Sequence, residues 1–349
     1  MAIDNILQKA RKGNGLNVEE IRILFQDLKN LGKASEIAAE LKSEQKGDSA
    51  ALYTCLYITN SCVNDCSYCG FGRSNKDLER ITLTSEQILE EAKVIKDLGV
   101  SNVILIGSTL PEDQYKDLIM SGTKSLLELN LNPWIEFENL SPKTLREISE
   151  IGANHFVLFQ ETYNEEIYKR VHRRSPLKRD YGARLRKVDE AVEAGFLNVN
   201  IGTLYGLNRD YASEIVELHK HATGLKEKGA SVCISVPTLK PAPGRSISPN
   251  RVSDFDIEKA YIILRLSLRD VSLALSGREN KELRNNLFPI IDQIGSGGVT
   301  NPGGRTAYKE AYLRGDTQFT LNDGRSPLEV TQYLATLGIK VIPQVKWTA

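Results

Sequence analysis

Leu52-Tyr53-Thr54-Cys55-Leu56-Tyr57-Ile58-Thr59 runs straight into Asn60-Ser61-Cys62-Val63-Asn64-Asp65-Cys66-Ser67-Tyr68-Cys69-Gly70-Phe71-Gly72. The first eight residues are mostly apolar, aromatic or β-branched, the composition of a buried strand. The polar run behind them holds three cysteines within eight residues and lies at that strand's carboxyl end. In a barrel of parallel strands this is the face on which active sites are built.

Further strands follow outward from this one. Asn102–Ile106, Trp134–Phe137, His155–Phe159, Leu197–Ile201, Val232–Val236, Ser272–Leu275 and Ile290–Ile294 have the same character. Amphipathic stretches separate them, among them a helix capped by Ser85 and closed at Gly99, one opened by Pro142 and closed at Gly152, and Tyr181–Ala194 closed at Gly195. Eight strand-helix units in series predict an α/β fold with a parallel buried sheet, closed as a (β/α)8 TIM-type barrel. An incomplete barrel of six strands is the alternative.

Residues 1–50 are charged and helical in pattern, with Asn17 capping a helix that aligns Ile21, Leu24, Phe25 and Leu28. The barrel is expected over residues 51–314. Residues 315–349 form a short α/β extension: strand Gln318–Leu321, turn Asn322-Asp323-Gly324, helix Pro327–Leu337 and strand Ile339–Ile342.

Lys plus Arg and Asp plus Glu each number 45 among 349 residues, so the formal charge is zero. Such balance gives neither the basic footprint of nucleic-acid binding nor a polybasic membrane contact. The amino terminus lacks the basic start and apolar run of a secretory signal, and no stretch is long and apolar enough to span a bilayer. Five cysteines, three of them clustered, do not suit a secreted disulfide framework. The expectation is a cytoplasmic protein with reduced thiols.

Three thiolates in one loop can hold three irons of a [4Fe-4S] cluster and leave the fourth iron open. Two other readings stay open. Spacings of four and three residues also place the cysteines on one helical face, as an apolar stripe would, although Asn64, Asp65 and Ser67 interrupt it. A zinc site with Cys55 as fourth ligand is the second. Cys55 and Cys233, in apolar strand contexts, read as ordinary buried thiols.

The spacing Cys-x3-Cys-x2-Cys, with Tyr68 before the third cysteine and Gly70-Phe71 after it, resembles the radical S-adenosylmethionine (SAM) superfamily. The likeness extends along the chain through Phe159-Gln160-Glu161-Thr162-Tyr163-Asn164, Asp180-Tyr181 with Arg184-Leu185, Ile201-Gly202 with Gly206-Leu207, Leu275 to Glu279, and Gln318-Phe319 with Asp323-Gly324-Arg325-Ser326. These segments point to the branch with biotin synthase, the tyrosine lyases and methylornithine synthase. The resemblance implies a [4Fe-4S] cluster on Cys62, Cys66 and Cys69, with SAM chelated at the open iron and cleaved to a 5′-deoxyadenosyl radical.

It further implies SAM contacts at Tyr68, Gly107, Ser108, Glu161, Arg184, Gly206 and Leu207. Glu161 would meet the ribose hydroxyls or amine, and Arg184 the carboxylate. The plainer readings are a helix N-terminal acid for Glu161 and a surface charge for Arg184. Arg278, Thr300, Asn301 and Arg305 follow strands seven and eight and form the expected substrate pocket, with an anionic substrate between the two arginines. Solvated loop charges are the alternative there. Expected partners are a small-molecule substrate and an electron donor such as a ferredoxin or flavodoxin.

Within the branch, tyrosine lyases carry an arginine after the proline of strand six, where this chain has Pro237-Thr238. No cysteine follows Cys233, so a carboxyl-terminal second cluster cannot form, and two isolated thiols do not suit biotin synthase. What remains resembles the HmdB (HcgA) family of [Fe]-hydrogenase guanylylpyridinol cofactor biosynthesis, in length, single cluster and the segment Thr300-Asn301-Pro302-Gly303-Gly304. Many methanogen members have five residues between the first two cysteines, whereas this chain has three. The alternatives carried forward are a tyrosine-lyase-like 2-iminoacetate synthase and a metal-binding scaffold without SAM cleavage.

Overall fold

The computed structural model describes residues 2–245 and 252–344. Eight parallel strands form a closed barrel: β1 (Ser49–Tyr57), β2 (Asn102–Ile106), β3 (Asn132–Glu136), β4 (His155–Val157), β5 (Asn198–Gly202), β6 (Ser231–Ser235), β7 (Ser272–Leu275) and β8 (Gln293–Gly295). Each pairs with the next, and β8 returns to β1. The six-strand alternative is thereby excluded. A two-residue strand, β9 (Lys340–Val341), adds in parallel to the start of β1.

The strands alternate strictly. On β1, Leu52 and Leu56 pack outward against helices, while Tyr53 and Tyr57 point into the barrel. Val103 and Leu105 face out on β2, and Ile104 and Ile106 face in. This period of two places Glu136 on the same inner face as Trp134. The lower barrel is filled by aromatic stacking, Tyr53 on Trp134 at 5.5 Å and Trp134 on His155 at 5.4 Å between ring centroids. The space above that stack becomes the cavity.

Local signals set the helices. Asn17 and Glu20 form a reciprocal capping box at the helix Val18–Asp27. The cap of the helix Ser85–Asp97 is Thr84, not Ser85, because Thr84 and Gln87 make the same box one residue earlier. The eighth strand starts later than expected: Phe288–Ile290 winds into a 3-10 turn with Pro289 inside it, so pairing begins only at Gln293. The helix Gly32–Lys46 lies at the amino ends of the strands, packed on the helix Asp254–Ser267. There Lys42 Nζ donates to the Ser49 carbonyl at 2.7 Å.

The carboxyl-terminal expectation needs one correction. Gln318–Leu321 is not a strand; it bends over the barrel mouth, and Gln318, Phe319 and Leu321 line the cavity instead of pairing with a sheet. The helix Pro327–Thr336 and β9 follow as expected, and residues 345–349 of the extension lie outside the described residues. Among the described residues no helix is long and apolar enough to cross a membrane.

Candidate active site

Asn60 opens the cysteine loop. Its side chain donates to the Glu79 carbonyl at 2.8 Å and accepts from the Ile81 amide at 2.7 Å, tying the loop to residues 79–81. Arg80 then gathers the loop from within, donating to the carbonyls of Asn60, Phe71 and Gly72 at 2.7 Å and of Asn75 at 3.0 Å. Four carbonyls on one guanidinium fix a segment that has no regular structure of its own. Asp65, held by Ser74, Arg174 and Arg245, does the same on the far side. Gly72 leaves room there for the Arg245 guanidinium, since a Cβ would stand 1.4 Å from Arg245 Nη2 and 2.7 Å from Asp65 Oδ1.

Cys62, Cys66 and Cys69 all open onto one cavity of about 200 Å³ at the carboxyl ends of the strands, and none is in a disulfide. Burial pushes the Cys62 thiol up to about 11 and the Cys66 thiol up to about 12. Among the described residues no three His, Cys, Asp or Glu side chains converge to hold a single metal ion. A lone zinc needs such convergence. In a cubane each thiolate meets a different iron, so thiols spread round one cavity fit that group. Cys55 also lines the cavity, so it is not the ordinary buried thiol expected of a strand interior.

Beside the thiols stands a group of four charges from four elements: Glu138 after β3, Glu161 after β4, Lys178 in the following loop and Arg184 on the helix Tyr181–Glu193. Arg184 forms an ion pair with Glu138, reaches Glu161 at 3.4 Å and donates through Nε to the Phe159 carbonyl at 2.9 Å. Lys178 meets Glu161 at 2.6 Å. Asn64 and Thr109 also donate to Glu138. Burial alone would raise the Glu161 carboxyl, but Lys178 and Arg184 outweigh it and hold it down at about 2. The group is neutral overall, so a zwitterion entering it finds an anchor for each of its charges.

Glu161 has φ +71°, one of two non-glycine residues at positive φ among the described residues. A side chain there is strained, and it persists only where the surroundings overdetermine it. They do: the Glu161 carbonyl accepts from the Leu204 amide at 2.7 Å and the Thr203 hydroxyl at 2.9 Å. Buried Glu214 braces the same turn through Thr162, the Tyr163 amide and Thr203.

Of the expected SAM residues, Tyr68, Gly107, Ser108, Glu161 and Arg184 line the cavity. Tyr68 is fixed by a 2.8 Å bond between its hydroxyl and His172, whose ring burial holds neutral, its pKa down at about 2. The Ser108 hydroxyl is buried with no partner, a free bonding group on the wall. Gly206 and Leu207 are not on the wall. Gly206 turns the chain with φ +108°, Leu204 takes the wall position, and Leu207 packs in an apolar cluster with Cys66 and Tyr68.

Of the expected substrate residues, Arg278 and Thr300 line the cavity and the other two do not. Arg278 lies over the Phe319 ring, 3.3 Å from its centroid, which holds the guanidinium flat at the mouth. Asn301 is buried and accepts from Asn60 at 3.3 Å. Arg305 is drawn away by buried Glu91 on the helix Ser85–Asp97 and by the carbonyls of Cys55 and Gly297. An anion therefore cannot sit between Arg278 and Arg305.

Sequence reasoning missed Glu136, Glu138 and Lys178. The alternation Trp134-Ile135-Glu136 already carried a signal, since it aims a carboxylate into the barrel two residues above a core tryptophan. Glu136 is open to the cavity but shielded from bulk solvent. Burial and the Glu161 charge push it up to about 8, against Arg184, Lys178 and Arg278.

Comparison with known proteins agrees with this geometry. The family model described as the radical SAM superfamily matches residues 56–220, and the Biotin and Thiamin Synthesis associated domain matches residues 235–340. The chain is 27% identical to 2-iminoacetate synthase of Escherichia coli strain K12, over 89% of this chain and 82% of that protein. It superposes on the [FeFe]-hydrogenase maturase HydG from Carboxydothermus hydrogenoformans with TM-score 0.88 and 32% identity, over 97% of this chain and 78% of that one. Methylornithine synthase (PylB) shares the fold, with TM-score 0.76 at 20% identity over 97% of both chains.

Proposed function

The chain belongs to the radical SAM superfamily, and we propose that Cys62, Cys66 and Cys69 carry its cluster while the charges beside them bind SAM. It is a radical SAM enzyme of the type represented by 2-iminoacetate synthase and HydG. Enzymes of this superfamily use a [4Fe-4S] cluster and SAM, act on small molecules and take electrons from a reductant. When bound, the two together supply reductive cleavage of the sulfonium to a 5′-deoxyadenosyl radical.

Each wall residue then has a task. Arg184 meets the carboxylate of SAM with the guanidinium N–H groups that its contacts with Glu138, Glu161 and the Phe159 carbonyl leave open, and Glu138 and Glu161 take the ammonium and the ribose hydroxyls. Lys178 keeps Glu161 ionised for that purpose. Tyr68, Gly107 and Ser108 bound the same space, with Leu207 in the layer backing Cys66 and Gly206 in the turn before it. Arg278, Thr300 and Glu136 face the substrate. The extension from residue 315, read as separate from the helical segment 1–50 and the barrel 51–314, closes the mouth with Phe319 and keeps water from the radical.

The substrate in this reading is a small precursor in [Fe]-hydrogenase guanylylpyridinol cofactor biosynthesis, as in the HmdB family, with a ferredoxin or flavodoxin as electron donor. The observation that carries it is Thr238. Where tyrosine lyases have an arginine, the Thr238 hydroxyl donates to buried Glu279 at 2.8 Å and does not line the cavity. The likeness to HydG favours a second reading, tyrosine lyase activity. Incubation of the reconstituted enzyme with SAM, reductant and tyrosine decides between them. We expect 5′-deoxyadenosine without p-cresol; p-cresol in step with deoxyadenosine overturns the pyridinol reading in favour of tyrosine lyase chemistry.

A further inference from the structure

Two of the three loop sulfurs have a side-chain hydrogen-bond donor, each from a different part of the chain. Both donors come from outside the loop: the Ser175 hydroxyl lies 3.4 Å from Cys66 Sγ, and the Gln318 amide nitrogen lies 3.7 Å from Cys69 Sγ.

Both are aimed by a second bond. The Ser175 hydroxyl accepts from the Asp65 amide at 3.1 Å, and its own proton remains for the sulfur. With Cys66 as the thiol either atom can donate; once the sulfur is a thiolate, only Ser175 can. Gln318 Oε1 accepts from the Tyr57 hydroxyl at 2.7 Å, which turns the amide so that its NH2 faces Cys69. The Gln318 main chain is pinned as well, accepting from the Gly70 amide and donating to the Thr300 carbonyl, both at 3.0 Å. Ser175 is fully buried in a turn that also docks on the loop through the Ser67 amide to the Val171 carbonyl. Neither donor is a mobile surface group that met a sulfur by chance.

A donor at a ligating sulfur stabilises the added negative charge of the reduced cluster and so raises its reduction potential. We infer that Ser175 and Gln318 set the reduction potential of the cluster by donating hydrogen bonds to Cys66 and Cys69. Ser175 lies off the cavity wall and Gln318 on it, and in this role both act through the sulfurs as positioning residues. The step they tune is the one-electron reduction of the cluster by an external low-potential donor; no covalent bond forms or breaks. The inference rests on Cys66 and Cys69 being cluster ligands.

The test is an EPR-monitored redox titration of the reconstituted full chain, comparing wild type with Ser175→Ala, Ser175→Thr, Gln318→Met and the Ala/Met double variant, with iron counted in each. At a fixed poised potential, the reduced-to-oxidised ratio should fall severalfold in each donor-deleted single variant. It should fall about tenfold in the double, which for a one-electron couple is about 59 mV. Ser175→Thr, which keeps the hydroxyl, should restore the wild-type ratio. If Ser175→Ala cannot retain its iron, Gln318→Met decides by itself. Fully loaded variants with the wild-type midpoint overturn this inference alone. A wild-type chain that assembles no four-iron cluster overturns the ligand assignment, and this inference with it.

Discussion

The two mouths of the barrel are built from the same residue types and use them in opposite ways. At the amino end, Arg265 forms an ion pair with Asp292 and donates to the carbonyls of Val271 at 2.8 Å, Ile290 at 3.0 Å and Arg269 at 3.2 Å. Both side chains are fully buried, and Asp292 also accepts from the Leu273 amide at 2.8 Å. At the carboxyl end, Glu136 lines the cavity, the Ser108 hydroxyl is unpartnered, and Glu161 is held in a strained backbone. The amino-end pair lines no cavity, so its charges serve the fold alone; the paired charges of the carboxyl end line one, where a ligand can meet them.

The sharpest break between the mouths concerns the thiols. Alanine at Cys62, Cys66 or Cys69 should reduce bound iron severely and abolish deoxyadenosine formation, while Cys233→Ser leaves both in place. Iron analysis beside product chromatography checks this, and a Cys233 variant that lost its cluster would dissolve the distinction. Next in size, Arg265→Leu leaves Asp292 buried and uncompensated and should cost about 3–5 kcal/mol of unfolding free energy in urea. Equal stability of that variant and wild type would mean the amino-end pair does not hold the fold.

Acid should act at both mouths. His155 below the cavity and His172 beside it are buried with pKa values lowered to about 3 and about 2, by burial first. The unfolded chain binds these protons from about pH 6.5 downward while the native chain refuses them. Stability is therefore complete above that pH and falls below it, by up to about 1.4 kcal/mol per pH unit for each histidine. Thermal unfolding followed from pH 7 to 5 should show this slope, flattened in His155→Leu.

Smaller again, Arg184→Met should weaken SAM binding to the loaded protein by about 10- to 100-fold, the worth of a charge-assisted bond, as calorimetry would read. Asn17→Ala, away from the cavity wall, should cost about 1 kcal/mol through its lost cap and leave SAM affinity unchanged. A change in affinity there would show that the helical segment is coupled to the cavity.

Much of this contrast was legible in local sequence. β2 and β7 have the bounds that composition predicts, and the cysteine loop is contiguous, so its reading needed no tertiary knowledge. The four-charge group was half legible, because Glu138 and Lys178 gain meaning only when separate βα units bring them to Glu161 and Arg184. Arg305 shows the converse. An arginine after the last barrel strand reads as a mouth residue, but Glu91, a buried acid far away in sequence, takes it. Gln318–Leu321 alternates like a strand, yet no sheet edge receives it, and its side chains close the cavity instead.

We propose above all that the carboxyl mouth holds a SAM-cleaving cluster on three cysteines. Its most direct test is anaerobic reconstitution of the wild-type chain with iron and sulfide, then reduction and addition of SAM, with iron and 5′-deoxyadenosine measured together. About four irons per chain, as one [4Fe-4S] cluster requires, and reductant-dependent deoxyadenosine are expected. Tightly bound zinc, or a full iron complement that leaves SAM intact, would contradict it.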